Sequence, residues 1–285
     1  MRSALLHLRF PFSFFLMPVY LFALSQSVQP NVGKAWLVFF ILHFLLFPAS
    51  NGYNSYFDKD EGSIGLLENP PPVERSLYYT SLVMDALAIA LGWFIGWQFM
   101  VFLLVYGLIS KAYSHPLVRL KKYPVVSWLT VGLFQGAATY VAIYLAISQV
   151  SFVETIPKLL IPSLICTTNL LAIYPITQVY QHHEDTQRGD LTMSVLLGIN
   201  GTFLNALAFL GVSAVGFFWY LPLQSFFLLL ATTAPMVCFL AVWFWQVRQD
   251  QSRANFKNTM ILNLLAGICL NLFFGILCLL SNNVE

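Results

Sequence analysis

"FPASNGYNSYFDKDEG", residues 47–62, sets two amides and two acids, Asn51, Asn54, Asp58 and Glu61, directly behind a hydrophobic run. The chain around it is 58% hydrophobic and 16% aromatic, only 9% charged, with a mean hydropathy of +0.73. That balance excludes an ordinary soluble domain and points to a protein that crosses a membrane several times. The polar stretch then needs an explanation, because lipid offers amides and carboxylates no partners.

A bilayer crossing takes about 20 predominantly apolar residues. Apolar runs lie near 11–28, 34–50, 77–95, 97–112, 124–149, 155–180, 192–217, 221–247 and 258–281. They predict nine transmembrane helices in a single all-α domain spanning residues 1–285. Lys and Arg gather in cytoplasmic loops, which tests that count. With the N-terminus cytoplasmic, all of the 14 Lys and Arg except Lys34 and Lys158 fall on the inner side. The formal net charge of +2 thus reflects topology and is no sign of nucleic-acid binding. The four cysteines sit in apolar runs without ligand spacing and read as small buried hydrophobes. The first run has no clear small-residue cleavage site and reads as a retained helix.

Sliding the chain against itself aligns residues 47–62, without gaps, with "YPITQVYQHHEDTQRG" at 174–189, a shift of 127 (174 − 47 = 127). Phe47/Tyr174, Pro48/Pro175, Asn51/Gln178, Tyr53/Tyr180, Asn54/Gln181, Asp58/Asp185 and Gly62/Gly189 correspond. On a helix the spacing i, i+3, i+7 puts amide, amide and carboxylate on one face, rising about 10 Å. Each copy ends an even-numbered predicted helix, so both belong to the same membrane face and are expected to line one central cavity. Facing carboxylate stripes suit a hard cation such as Mg²⁺, which takes oxygen ligands and is often shared with substrate phosphates. The plain alternative is that these residues cap helix ends at the interface. Capping alone does not require the same amide-Tyr-amide-Asp order twice.

Between the copies, "SKAYSHPLVRLKKYP" at 110–124 carries Lys111, Arg119, Lys121 and Lys122 on the same face. Positive-inside bias alone places some cations there. The order adds more: Tyr113 and Ser114 precede Pro116, and Arg119-Leu120-Lys121 sets two cations on one side of an extended segment, as a clamp on a diphosphate requires.

These residues resemble the UbiA-type intramembrane prenyltransferases, which have nine transmembrane helices and two Asp-rich motifs. The family's NDxxDxxxD lies over "NSYFDKDEG", matching Asn54 and Asp58, with Ser55 and Gly62 at the other two acidic positions and Asp60 and Glu61 close by. Its DxxxD followed by Gly and Thr lies over "QHHEDTQRGDLT", matching Asp185, Gly189 and Thr192, with Gln181 in the leading position. "YSHPLVRLK" is similar to the family's Tyr-Ser-x-Pro…Arg-Leu-Lys loop. "NPPPV" at 69–73 stands where quinone and heme branches carry a basic Arg-Pro segment. The resemblance implies Mg²⁺-dependent transfer of an isoprenyl chain from its diphosphate to a lipophilic acceptor, of aromatic or quinone-precursor type, inside the membrane. It implies Asn54, Asp58, Glu61, Gln181 and Asp185 toward the metal. Asn54, Lys59, Tyr113, Ser114, Arg119, Lys121 and Arg188 are implied toward the diphosphate, with Asp58, Asp185, Arg119 and Lys121 central to catalysis.

Such chemistry needs the leaving charge neutralised and water kept out, and 26 Phe, 13 Tyr and 7 Trp supply apolar wall. Asp85, deep in the third predicted helix, is either an acceptor-site base or a buried acid bonded to a neighbouring helix. His182 and His183 flank the second amide-amide-acid stripe, without a third nitrogen or thiolate at ligand spacing. Asn169 and Asn205 read as hydrogen bonds between helices. Two other functions stay open: a catalytically inactive isoprenoid-binding relative, given Ser55, Gln181 and Gly62, and a small-molecule transporter, given the internal repeat.

Overall fold

The computed structural model describes residues 2–59, 62–148, 150 and 152–281. Among the described residues the chain is helical, with a lone antiparallel bridge between Ile64 and Leu67. In chain order the α-helices are α1 (Arg2–Leu8), α2 (Met17–Gln26), α3 (Val32–Phe40), α4 (Phe47–Asp58), α5 (Arg75–Gly92), α6 (Trp97–Ser114), α7 (Pro124–Val131), α8 (Thr139–Ile147), α9 (Phe152–Ile176), α10 (His182–Arg188), α11 (Met193–Tyr220), α12 (Leu223–Gln249) and α13 (Phe256–Ser281). π-helical turns, Ile41–Leu46 and Gly132–Ala138, join α3 to α4 and α7 to α8.

Six helices among the described residues are long and apolar enough to cross a membrane: Val32–Asp58, Pro124–Ile147, Thr155–Ile176, Met193–Tyr220, Leu223–Gln249 and Phe256–Leu280. A seventh forms if Arg2–Phe15 and Met17–Gln26, bent by 42°, count as one span. Nine were expected. The third and fourth expected spans fold as α5 and α6, each 18 residues, or about 27 Å at 1.5 Å per residue. That length barely matches a hydrocarbon core of about 30 Å, and Asp85, Lys111 and several tyrosines dilute their hydropathy. This is an integral membrane protein with about six candidate spans.

The chain divides into two compact units. The first comprises Met1–Phe14, Ser27–Lys121 and Ala142–Ser151. Its core joins Ala4 and Leu8 of α1, Ala49 of α4, and Leu77 and Met84 of α5. A Cβ on Gly52 would lie 2.6 Å from Ser81 Oγ and 2.9 Å from Leu8 Cδ2, so α4 approaches α5 and α1 as closely as only glycine allows. Pro48 enters α4 just after the π turn, whose wider loop leaves room for a ring that would otherwise press on the preceding turn. Ends are tied by polar bonds: Asn31 N–H donates to Ile147 O at 3.1 Å, and Lys34 Nζ to Ile95 O at 3.0 Å.

The second unit comprises Phe15–Gln26, Lys122–Val141 and Phe152–Glu285. Its core centres on Phe203, Leu240, Trp243 and Leu262. Pro175 in α9 has no N–H to give the carbonyl four residues back, and that carbonyl, Leu171 O, accepts from Trp128 Nε1 at 2.8 Å and Asn205 Nδ2 at 3.0 Å. Asn169 Nδ2 donates to Ser213 Oγ at 2.6 Å. Both asparagines bond between helices as expected. A Cβ on Gly136 would fall 2.8 Å from the backbone N of Thr167, so the π turn lies directly on α9. Gly198 breaks α11 with φ 67° and ψ 170°, and Thr202 Oγ1 donates to its carbonyl at 2.8 Å.

Candidate functional site

The first copy of the repeat behaves as its spacing predicts. Gly52, Tyr53 and Ser55 of α4 are buried, while Asn51, Asn54 and Asp58 share a half-buried face. The end of α6 and the following loop close on that face. Ser114 Oγ donates to Asn54 Oδ1 at 2.6 Å. Lys121 Nζ pairs with Asp58 Oδ1, the two side chains being 12% and 7% exposed. One turn earlier on α4, the hydroxyls of Ser50 and Ser110 are 2.6 Å apart. Four residues named from sequence, Asn54, Asp58, Ser114 and Lys121, are therefore together, joined acid to base and amide to hydroxyl. Tyr113 adjoins them on α6, half-buried.

The loop itself departs from expectation. It is not extended: Arg119 takes the left-handed region at φ 46°, its N–H donates to His115 O at 2.8 Å, and Leu120–Lys122 form a 3-10 turn. The chain bends back on His115, whose ring stands 5.1 Å from Phe57. Arg119 and Lys121 thus do not lie along one side of a strand. Lys59, at φ 49°, caps α4 and is exposed. Glu61 lies outside the described residues. Ser55, at the family's second acidic position, faces inward at 1% exposure, and its Oγ has no hydrogen-bond partner among the described residues.

A second ionic contact was not foreseen as such. Lys111, assigned from sequence only to the inner-face cations, pairs with Asp85 across α6 and α5, and its Nζ stands 4.9 Å over the Tyr53 ring. Of the two readings of Asp85, the structure matches the acid bonded to a neighbouring helix. Tyr53, between the two motif amides, is the residue that sequence reasoning missed, although its recurrence as Tyr180 was a signal.

The second copy, in the other unit, does not repeat the first copy's geometry. α9 stops at Ile176, and the bonds from Gln178 N–H to Pro175 O (3.1 Å) and Val179 N–H to Ile176 O (3.3 Å) run three residues back. Gln178 and Gln181 thus occupy a turn, and one helical face holds neither with Asp185. The physical reason is the place of the proline: Pro48 opens α4 where Pro175 closes α9. Gln181 precedes α10, its carbonyl accepting from Asp185 N–H at 2.9 Å. Asp185 Oδ2 accepts from Thr192 Oγ1 at 3.2 Å, Gly189 ends α10 at φ 71°, and Thr192 caps α11 through Val195 N–H at 3.3 Å. The Asp-Gly-Thr spacing of the motif is thus a turn between two helices with each residue in a definite role. Arg188 pairs with Glu184 along α10 at 2.8 Å. His182 meets Ser194 Oγ at 2.7 Å, and burial holds its imidazole below the ordinary histidine value.

No trio of His, Cys, Asp and Glu side chains able to hold a metal is gathered among the described residues. In the first unit, Asn54 and Asp58 present oxygen ligands on one face of α4, a donor type that fits Mg²⁺ held in part by a substrate's phosphate oxygens and not an all-protein cage.

Comparison with solved structures places the whole chain in one fold. A UbiA homologue from Archaeoglobus fulgidus bound to GPP and Mg²⁺ matches at TM-score 0.71 and 18% identity, covering 99% of this chain and 99% of that one. The same homologue bound to DMAPP and Mg²⁺ matches at 0.70 and 18%, covering 99% and 100%. The apo structure of a UbiA homologue from Aeropyrum pernix K1 matches at 0.69 and 16%, covering 94% and 98%. Comparison with curated proteins returns no match. The sequence model of the UbiA prenyltransferase family matches residues 13–265, and with the helical fold and the two motifs in place, this chain belongs to the UbiA prenyltransferase family.

Proposed function

We propose that this protein transfers an isoprenyl group from a prenyl diphosphate to a lipophilic acceptor of aromatic or quinone-precursor type, inside the membrane and with Mg²⁺. The observation that carries it is the fastening of an acid-bearing helix to a basic loop, Asn54 to Ser114 and Asp58 to Lys121. Acid and base are thereby held where a diphosphate and its counter-ion need both.

In this reading Asn54, Asp58, Glu61, Gln181 and Asp185 hold Mg²⁺, which neutralises charge developing on the leaving diphosphate. Lys121 and Arg119 supply donors to the phosphate oxygens, with Tyr113, Ser114, Lys59 and Arg188 contributing hydrogen bonds and charge. Lys121 exchanges its contact with Asp58 for one with phosphate when substrate arrives, leaving the carboxylate to the metal. The chain acts as one catalytic domain with nine crossings, its N-terminus and site loops cytoplasmic, as the distribution of Lys and Arg supports. The known ligands of the Archaeoglobus fulgidus homologue, GPP and DMAPP with Mg²⁺, support this substrate class.

One observation favours a second reading, an inactive relative that binds isoprenoids without turnover: Ser55 replaces a family acid and is buried. The test is purified protein in lipid nanodiscs with geranyl or farnesyl diphosphate, with diphosphate release followed with and without Mg²⁺ and lipid extracts read by mass spectrometry. Active wild type should release diphosphate only with Mg²⁺. Arg119→Lys keeps charge but loses the planar fork and should weaken diphosphate use by about 1–3 kcal/mol. Saturable diphosphate binding with no release under any metal would establish the inactive reading instead.

A further inference from the structure

The second unit holds a partly open cavity of about 80 Å³ between α2, α9, α11 and α13. One part of its wall is aromatic: Phe22 stacks on Phe274 at 4.7 Å and stands 5.7 Å from Phe217. No charged side chain lines it. Two amides do, Asn169 and Asn263. Each lies seven residues from an end of its helix, Ile176 for α9 and Phe256 for α13, or about 10 Å along the axis.

The amides are in different states. Asn169 spends both N–H groups inside the protein, on Ile165 O at 3.0 Å and Ser213 Oγ at 2.6 Å, which leaves its carbonyl oxygen as an acceptor. Asn263 is 5% exposed, and its side chain makes no hydrogen bond to any described residue. Its amide atoms line the cavity and are not sealed in packed protein, so a partner entering the cavity spares them the cost of about 1–3 kcal/mol that a dry, unpaired amide bears. In an otherwise apolar wall, Leu would pack there at no such cost. A ligand with one hydrogen-bonding group makes the asparagine useful.

We propose that this cavity binds a neutral, mostly apolar lipid bearing a single hydroxyl or carbonyl group, seated on Asn263, with the Asn169 oxygen as a second contact. Resting on the prenyl-transfer reading, this lipid is the acceptor. A carboxylate or phosphate headgroup is disfavoured, because no cation in the wall offsets its desolvation. A pure hydrocarbon leaves Asn263 unpaired. A hydroxyl both donates and accepts, so it can use either amide.

The experiment uses the full chain in nanodiscs, without Mg²⁺ or prenyl diphosphate. The probe is a farnesol analogue carrying a diazirine in its tail, photo-crosslinked and located by mass spectrometry. Labelling should fall on α9 or α13 near Ile173 or Leu270. Unlabelled farnesol should compete, with farnesene, which lacks the hydroxyl, and farnesoic acid each about tenfold weaker. Asn263→Leu should raise the farnesol concentration needed about tenfold, the worth of roughly one hydrogen bond, leave farnesene unchanged, and not lower the Tm of the free protein. Asn263→Gln, which keeps the amide, should retain the farnesol preference and covers the case in which the Leu variant misfolds. Labelling elsewhere, equal competition by farnesol and farnesene, or better competition by farnesoic acid overturns the proposal. Magnesium-dependent diphosphate release, measured separately, tells the two ideas apart. Release without selective farnesol labelling sinks this inference alone, whereas selective labelling without release sinks the enzymatic reading and leaves a neutral-lipid site.

Discussion

Removing one member of the Asp58–Lys121 pair separates its structural role from its proposed chemical one. With side chains 7% and 12% exposed, the pair is far from the surface regime of about 0–1 kcal/mol. It lies near the regime in which losing one partner strands a charge, about 3–5 kcal/mol. The two replacements are not equivalent. Lys121→Met keeps the length of the stem but leaves a bare carboxylate in a nearly dry place, so a loss of about 3 kcal/mol is expected. Asp58→Asn keeps an oxygen that still accepts from Lys121, so it should lose about 1–2 kcal/mol. The double variant strands no charge. Its loss should fall short of the sum of the singles by about 1.5 kcal/mol or more, which is a shift of more than tenfold in the folded ratio. The assay is denaturant unfolding in micelles or nanodiscs across the double-mutant cycle, with diphosphate release measured in parallel. The double variant should be more stable than the sum of the singles predicts while its activity does not recover, because the proposed metal ligand is still missing. Singles that each cost under about 0.5 kcal/mol and add simply would refute a tight pair. Normal turnover in Asp58→Asn would refute the metal assignment.

Three further outcomes are expected. Trp128→Phe and Asn205→Leu each remove one donor from Leu171 O and should each cost about 1 kcal/mol, while together they orphan the carbonyl and exceed their sum, as unfolding of the double variant will tell. Gly136→Ala should cost about 1–3 kcal/mol or more in the same assay, because its Cβ meets the backbone of Cys166 and Thr167 at 2.8–2.9 Å, and backbone cannot rotate aside. His182, held below the ordinary value by burial, binds fewer protons folded than unfolded. Stability should therefore be fully present above the unfolded value of about 6.5 and decline as pH falls from there toward the lower folded value. His182→Gln should flatten that slope in unfolding measured from pH 7.5 to 5, and an unchanged slope would count against burial as the cause.

What the sequence made legible follows from how local each signal is. The first motif was read correctly down to its face because α4 is one continuous helix from Phe47 to Asp58, where periodicity converts directly into geometry. The same arithmetic failed on the second copy. Its proline stands at the end of a helix rather than the start, so residues with matching chemistry fall in a turn. Asn169 and Asn205 were read correctly as bonds between helices, since an amide in an apolar run has few other uses. The partner of Asn205 could not be read, because Leu171 O is a backbone acceptor that Pro175 releases four residues away. The count of nine rested on apolar runs, checked against the placement of Lys and Arg. In α5 and α6 short length and a buried ion pair lower the hydropathy that such counting depends on.

The basic loop shows why charge is easier to read than conformation. Its cations were named from spacing and topology, and Lys121 does meet an acid. Its shape was misjudged, because an alternation of Arg, Leu and Lys suits a strand while nothing local announces that Arg119 will take φ 46°. A residue without glycine's freedom holds that conformation only where its surroundings make up the strain. Here the His115 carbonyl takes the Arg119 N–H, and the ring of the same histidine packs on Phe57, one residue before Asp58. The bend therefore also places the loop on α4 and brings Lys121 to its carboxylate. Conformation at Arg119 and charge pairing at Asp58 are thus one arrangement. Glycine takes φ 46° freely, so Arg119→Gly should keep the bend and every other cation in place, whereas Arg119→Val, strained there, should open the bend and loosen the contact through which the loop is proposed to hand Lys121 from acid to phosphate.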